Sequence, residues 1–381
     1  MFSNITVNPC PVFRRMFAVY LRFTLNQIIM KSSILKYAAF FFSMIFLTVF
    51  TSCEKDDQIA PQGVDGSLTQ KGATIDPFQN GASSALNELG EVTGQEGPNF
   101  VDEIYVNVTS TVYTYGSGTD NTMEVFVSPD NNLAEKPVVI LYPGGGFSSH
   151  TQLSGLNAFA QELASKGYLA AVSKYSLSAD ANIDVDDWVY AVQDVRSSIR
   201  FVRSQATAWG ASTQNIFIGG WSNGGQIAFN HAFMSASETG DFTDPNLQPY
   251  VAGRLNALGW DNTDNVGFSS DIKGIIGMNI YTQGVNFVDA GDPALYLVAC
   301  TDQQFNDGTV TFDTTFTYGG ISFNGPEGIY ARALHEGYTE SKDLVYEVEQ
   351  WPSPLFTHPN FTTLNRDYWY DMSAFMARNM D

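Results

Sequence analysis

The chain is poor in positive charge and in the residues that most often bind metals. Its 381 residues contain 19 Lys and Arg against 40 Asp and Glu, a formal net charge of −21. Neutralising a nucleic-acid backbone needs clustered bases, so nucleic acid is not an expected partner. The same acidic excess disfavours tight binding of highly sulfated or uronate-rich polymers, and it fits a salty surrounding equally well. Four histidines are present, His150, His231, His335 and His358, and no two have the HExxH spacing of a zinc hydrolase. Neither a metal nor another cofactor is expected. Long apolar runs are also missing, the most continuous being Tyr37 to Phe50. Fourteen residues fall short of the roughly 20 that a helix needs to span a bilayer.

What the chain does carry is concentrated in NIFIGGWSNGGQ, Asn215 to Gln226. A short apolar run feeds GxSxG (Gly220, Trp221, Ser222, Asn223, Gly224), and a helix-compatible segment follows. Strand, sharp turn and helix are the context in which a serine becomes a nucleophile, since the turn lifts its hydroxyl to the edge of a sheet. Three fixed positions are weak evidence alone. Upstream, KPVVILYPGGGF adds a second buried-strand pattern ending in Gly144, Gly145 and Gly146. Glycines after a strand present backbone N–H groups unobstructed, as an oxyanion hole requires.

With both motifs in hand, the chain from about Glu103 onward resembles the α/β-hydrolase superfamily, and more closely its esterase and lipase branch, including acetyl xylan and feruloyl esterases. Many relatives have a histidine ahead of these glycines, where this chain has Tyr142 and Pro143. The elements arrive in the family's order. Gly167 to Tyr175 reads as a buried strand, and Asp186 to Trp209 as an amphipathic helix with Trp188, Val189, Val192, Val195, Ile199 and Val202 at helical spacing. Ile272 to Tyr281 and Ala294 to Cys300 read as further strands, followed by a helix over Glu327 to His335 and a strand over Leu344 to Val348. EIYVNVTSTVYTY and TMEVFVSP alternate as a hairpin would, with Gly116 to Asn121 as its turn. The expected fold is α/β: a mostly parallel central sheet with helices on both faces and an N-terminal antiparallel hairpin.

The resemblance implies the remaining catalytic partners. In this superfamily an acid and then a histidine follow the serine. Asp302, just beyond the Leu295 to Cys300 strand, takes the acid's place, with Asp289, Asp292 and Asp307 as competitors. His358, in the turn-rich WPSPLFTHPNF after the last strand, takes the place of the base. His231 on the helix after Ser222 and His335 before the final strand read as structural or solvated. His150 precedes Ser222, which breaks the family's order, yet it lies close enough to the glycine loop to face the pocket. The oxyanion hole would be built from backbone N–H groups at Gly145, Gly146 and Asn223. Trp221 and Tyr281 would line the substrate pocket beside His150. Two insertions, Ser235 to Asp271 and Asp307 to Asn324, carry aromatic residues that could shape specificity or simply pack.

The first 52 residues carry Arg14, Arg15, Arg22, Lys31 and Lys36 and no acid. Lys31 and Lys36 precede the apolar run, which closes on FTSC, and the segment resembles a bacterial lipoprotein signal cleaved at and lipidated on Cys53. A start at Met30 would give a signal of ordinary length, leaving Met1 to Ile29 as an upstream extension. Removal of this region would leave 14 bases facing 40 acids, a net charge of −26. It would also leave Cys300 as the body's sole unlipidated cysteine, with no partner for an intrachain disulfide. Glu54, Lys55, Asp56 and Asp57 after the cysteine resemble a surface-export signal.

The expected organisation is therefore a signal region over 1–52, a lipidated cysteine and flexible linker over 53–98, and one catalytic domain over 99–381. The location would be the cell envelope, anchored to the outer membrane by lipid and exposed at the surface. The expected function is a serine-dependent carboxylic ester hydrolase acting on an acylated carbohydrate or another small ester. A lipase or peptidase of the same fold, or a surface carbohydrate-binding protein without turnover, are the alternatives, because a fold alone does not choose among them.

Overall fold

The computed structural model describes residues 99–380 apart from 180–183, 236–241, 243–246, 301–303, 306–309, 312–314, 319–320 and 350–365. All described residues fall in the second of the two units into which the chain divides, Met1–Ala73 and Thr74–Asp381. Among them, no helix is long and apolar enough to cross a membrane.

An antiparallel hairpin opens this unit: β1 (Thr109–Thr114) pairs with β2 (Thr122–Val127), Thr109 opposite Val127 and Thr114 opposite Thr122. Next come β3 (Lys136–Tyr142), α1 (Leu153–Ser165), β4 (Leu169–Ser173) and α2 (Val185–Trp209). β5 (Ala211–Trp221), α3 (Asn223–Phe233), α4 (Leu247–Leu258) and β6 (Gly274–Met278) follow, then β7 (Ala294–Cys300). The short strands β8 (Gln304–Phe305), β9 (Val310–Thr311), β10 (Thr315–Tyr318) and β11 (Ile321–Asn324) form two small hairpins, after which α5 (Pro326–His335), β12 (Leu344–Glu349) and α6 (Arg366–Arg378) complete the fold.

The main sheet has eight strands in the order β1-β2-β4-β3-β5-β6-β7-β12. β1/β2 and β2/β4 are antiparallel and every other pair is parallel. This is an α/β-hydrolase fold, with the hairpin at one edge. The reason lies in the strand sequences: a parallel strand is covered on both faces and reads as an unbroken apolar run. In β3 all seven residues are buried. Its side chains alternate between two cores, Val138, Ile140 and Tyr142 facing one and Val139 and Leu141 the other. α2, α3 and α5 supply the first core through residues such as Val195, Ile227 and Ile329. α1 and α6 supply the second through Phe159 and Phe375.

The longest helix, α2, has defined ends. Asp184 accepts from the N–H groups of Asp186 and Asp187 while the Asp187 carboxylate accepts from the Asp184 N–H, a reciprocal cap. Gly210 closes the other end at φ 59°. Arg196 and Arg200 of α2 bind Asp261, and Arg203 donates to the carbonyls of Ser269 and Asp271. This part of the first insertion is thereby fastened along the helix.

Candidate active site

β5 ends in the turn that the GxSxG spacing implies. Ser222 has φ 54° and ψ −124°, a backbone conformation rarely adopted by a residue with a side chain and costing on the order of 1–3 kcal/mol. Two backbone bonds hold it there: the Ser222 N–H donates to the Met278 carbonyl at 3.2 Å, and the Gln226 N–H donates to the Ser222 carbonyl at 2.9 Å. The flanking glycines are needed for space rather than for dihedral freedom. A Cβ at Gly220 would stand 2.6 Å from the Tyr142 oxygen, and one at Gly224 would stand 2.1 Å from the same atom. Strand β3 and helix α3 therefore meet without side chains between them, and Ser222 stands at the carboxyl edge of the sheet beside the end of β3.

The glycine loop continues from β3, with Tyr142 aligned with Gly220 across the parallel pair. Gly145 and Gly146 have φ of 131° and 62°. At Gly144 an added Cβ would lie 2.5 Å from the Trp221 ring. The loop's carbonyls are engaged by partners: Pro143 accepts from the Tyr175 hydroxyl at 3.0 Å, Gly144 from the Thr151 N–H at 2.9 Å, and Gly145 from the Ser148 N–H at 3.2 Å. Tyr175 is itself fixed from α2, because the buried Asp194 carboxylate accepts the adjacent Ser176 N–H at 2.7 Å. Burial raises the Asp194 pKa.

Of the three N–H groups expected in an oxyanion hole, Gly146 has an internal acceptor, Asn223 Oδ1 at 2.9 Å. The Asn223 amide nitrogen donates in turn to Gln226 Oε1 at 3.1 Å. Among the described residues, the Gly145 N–H and the Asn223 N–H have no acceptor. The Asn223 N–H sits in the first turn of α3, where unpaired donors and the helix dipole favour negative charge. No sequence pattern announces the Asn223 side-chain bond, since it joins residues that only the folded chain brings together.

Tyr142, next to the glycines, is fully buried. Its hydroxyl pairs with Ser198 Oγ at 2.8 Å, and burial pushes its pKa up. His150 Nε2 donates to the Tyr175 carbonyl at 2.8 Å, and its ring meets Tyr175 edge-on at 5.1 Å. Burial lowers its pKa, which favours the neutral ring. Trp221 is buried, with its ring beneath Gly144 in the second core. Tyr281 is half-buried and meets Phe323 of β11 edge-on at 5.3 Å, beside the backbone pairing of Thr282 with Asn324. It also lies close enough to Tyr175 to raise that hydroxyl's pKa electrostatically, a contribution second to burial.

Asp302 and His358 lie outside the described residues. β7 and β12, which precede them in the chain, run parallel to β5 and so end on the edge where Ser222 stands. Asp289 and Asp292 instead precede β7, at the opposite edge, where the Asp289 N–H donates to Asp292 and its carboxylate lies 3.5 Å from Arg332. Asp307 falls outside the described residues. His335 is exposed at the end of α5, beside Glu336. His231 is buried in α3 and donates from Nε2 to the Ser270 carbonyl at 2.9 Å.

The BD-FAE family model matches residues 123–257, which covers β2 through most of α4 and includes both the glycine loop and Ser222. No curated protein matches the chain. Among solved structures, the chain is similar to the butyrate-bound esterase Est2 of the Planctomycetes species Thermogutta terrifontis. That likeness has 17% identity and a TM-score of 0.47, over 69% of this chain and 91% of that one. The same esterase phosphorylated by paraoxon matches with 17% identity and a TM-score of 0.47 over 69% and 91%. Its tabun-phosphoramylated form matches with 16% identity and a TM-score of 0.47 over 69% and 92%.

Proposed function

We propose that this protein is a serine-dependent carboxylic ester hydrolase that removes acyl groups from a carbohydrate or another small ester. The observation that carries the reading is Ser222, held in a strained strand-to-helix turn against a glycine loop whose carbonyls are already engaged by partners. Such a turn exposes a hydroxyl where backbone N–H groups can receive developing negative charge. The match of the BD-FAE model across this region supports the same reading.

In the proposed reaction Ser222 Oγ attacks the ester carbonyl carbon as His358 takes the hydroxyl proton, and Asp302 orients the imidazole and stabilises its charged form. The carbonyl oxygen becomes an oxyanion bound by the Gly145 and Asn223 N–H groups. The intermediate collapses, the alcohol leaves with the proton from His358, and water then releases the acid by the same steps in reverse order. Tyr281 and His150 would line the pocket around the glycine loop, while Trp221, packed in the core beneath Gly144, would support the loop from below. The acidic body would be tethered to the outer membrane by lipid on Cys53, with residues 54–98 as linker and residues 99–381 as the catalytic domain.

The test is a panel of acetylated, feruloylated and fatty-acyl substrates given to the full chain and to its Asp302→Asn and His358→Ala variants. Hydrolysis of acylated sugars, reduced at least about a thousandfold in both variants, is the expected result. Preference for long-chain fatty esters would refute the carbohydrate assignment. Full activity in either variant would refute that residue's role.

A further inference from the structure

Asn223 follows the nucleophile directly, and its carboxamide makes two bonds that its backbone role does not require. Oδ1 accepts the Gly146 N–H at 2.9 Å, and Nδ2 donates to Gln226 Oε1 at 3.1 Å. Both Asn223 and Gln226 are buried. The pairing fixes which way the amide faces, because turning it over would set its NH2 group against the Gly146 N–H and its oxygen against the Gln226 oxygen, losing both bonds. Gln226 is placed by its own N–H bond to the Ser222 carbonyl. The chain of contacts thus begins and ends at the nucleophile's turn.

Gly146 needs such a restraint. It follows Gly145, and both occupy positive φ. A Cβ at Gly146 would meet nothing closer than Asn223 Oδ1 at 3.9 Å, so packing does not confine this residue. Glycines are the residues with most conformational freedom to lose. Of the preceding carbonyls, Pro143 is held by Tyr175, and Gly144 and Gly145 by Thr151 and Ser148 farther along the same loop, whereas the Gly146 N–H is held from helix α3 by Asn223.

Resting on the esterase reading above, we propose that Asn223 is a positioning residue. Its carboxamide, oriented by Gln226, holds the Gly146 amide and so sets the glycine turn with the Gly145 N–H and the Asn223 N–H as the pair that receives the oxyanion. The Gly146 N–H then serves as an anchor rather than as a third donor.

Asn223→Ala retains the backbone N–H and removes only the anchor. In the full chain, kcat for a chromogenic acetate should fall roughly tenfold to a hundredfold with KM changed less than about threefold, the pattern of a lost transition-state contact. Gln226→Ala should show the same pattern more mildly. Asn223→Asp should be slower than Asn223→Ala, since it loses the donor to Gln226 and sets a negative charge beside the oxyanion. A kcat in Asn223→Ala equal to or above the parent's would overturn the proposal, as would a change confined to KM. Amide exchange of Gly146, followed by NMR in the Ser222→Ala background, tests the anchor without turnover. Exchange at least about tenfold faster after Asn223→Ala is expected for a lost N–H bond, and unchanged exchange overturns the proposal. Failure of the esterase reading would be separate: the parent and Ser222→Ala would hydrolyse the acetate equally, while the Gly146 exchange rates would still decide the anchor.

Discussion

His231 offers a measurable consequence of the packing behind the nucleophile. Its ring is buried in α3 with Nε2 at 2.9 Å from the Ser270 carbonyl and Nδ1 at 3.5 Å from Arg196 Nη1. A neutral ring protonated at Nε2 satisfies both neighbours, donating to the carbonyl and accepting from the guanidinium. Burial, followed by the Arg196 charge, lowers its pKa to about 3 from the ordinary 6.5. In the unfolded chain the ring takes up a proton below 6.5 and the folded one does not. Stability is therefore present above 6.5 and lost as pH falls from there toward 3, by about 1.4 kcal/mol per pH unit. Between pH 7.5 and 5.0 the loss from this ring is about 2 kcal/mol.

Other groups titrate in the same range, so the informative quantity is a difference. A glutamine side chain can reproduce the donor at Nε2 without titrating, and His231→Gln should lose about 2 kcal/mol less stability than the parent between the two pH values. Urea unfolding followed by tryptophan fluorescence at pH 7.5 and 5.0 measures both proteins. Equal pH dependence in the two would refute the assignment of a neutral buried ring.

Other perturbations follow from the same contacts. Gly224→Ala places a Cβ 2.1 Å from the Tyr142 oxygen. It should cost about 3 kcal/mol or more, because backbone on both sides must move, and a thermal melt within a degree of the parent's would contradict the close approach of β3 and α3. Asp184→Ala removes one half of the α2 cap and should cost about 1 kcal/mol, read by urea unfolding, with esterase activity retained at the same rate per folded molecule; an unchanged midpoint would argue against the cap.

Much of this architecture is legible in the sequence because its elements have one-dimensional signatures. The all-apolar KPVVILY becomes a doubly buried strand, the spaced valines of α2 face one core, and the glycines around Ser222 mark a turn that needs room. β1 and β2 read as a hairpin because their alternation and turn are local. β5 is longer than the NIFIGG run suggests, beginning at Ala211, since pairing of that residue with Lys136 extends it beyond the apolar stretch. Helices α1 and α6 are not anticipated, although Leu156, Phe159, Ala160 and Leu163 of α1 follow helical spacing. Contacts between distant segments leave no such trace. The capture of the Gly146 N–H by Asn223 and the support of Pro143 by Tyr175 depend on which strand ends meet. The acid and base assignments, Asp302 and His358, rest on chain order.

A serine nucleophile at Ser222 can be trapped covalently by a reagent that phosphonylates activated hydroxyls. The full chain would be treated with an aryl fluorophosphonate, digested and analysed by mass spectrometry, alongside its Ser222→Ala variant and with chromogenic acetate hydrolysis followed in both. One adduct is expected, on the peptide containing Ser222, with hydrolysis lost in step with labelling and both absent from Ser222→Ala. An adduct on another residue, or acetate hydrolysis undiminished in Ser222→Ala, would contradict the assignment of Ser222.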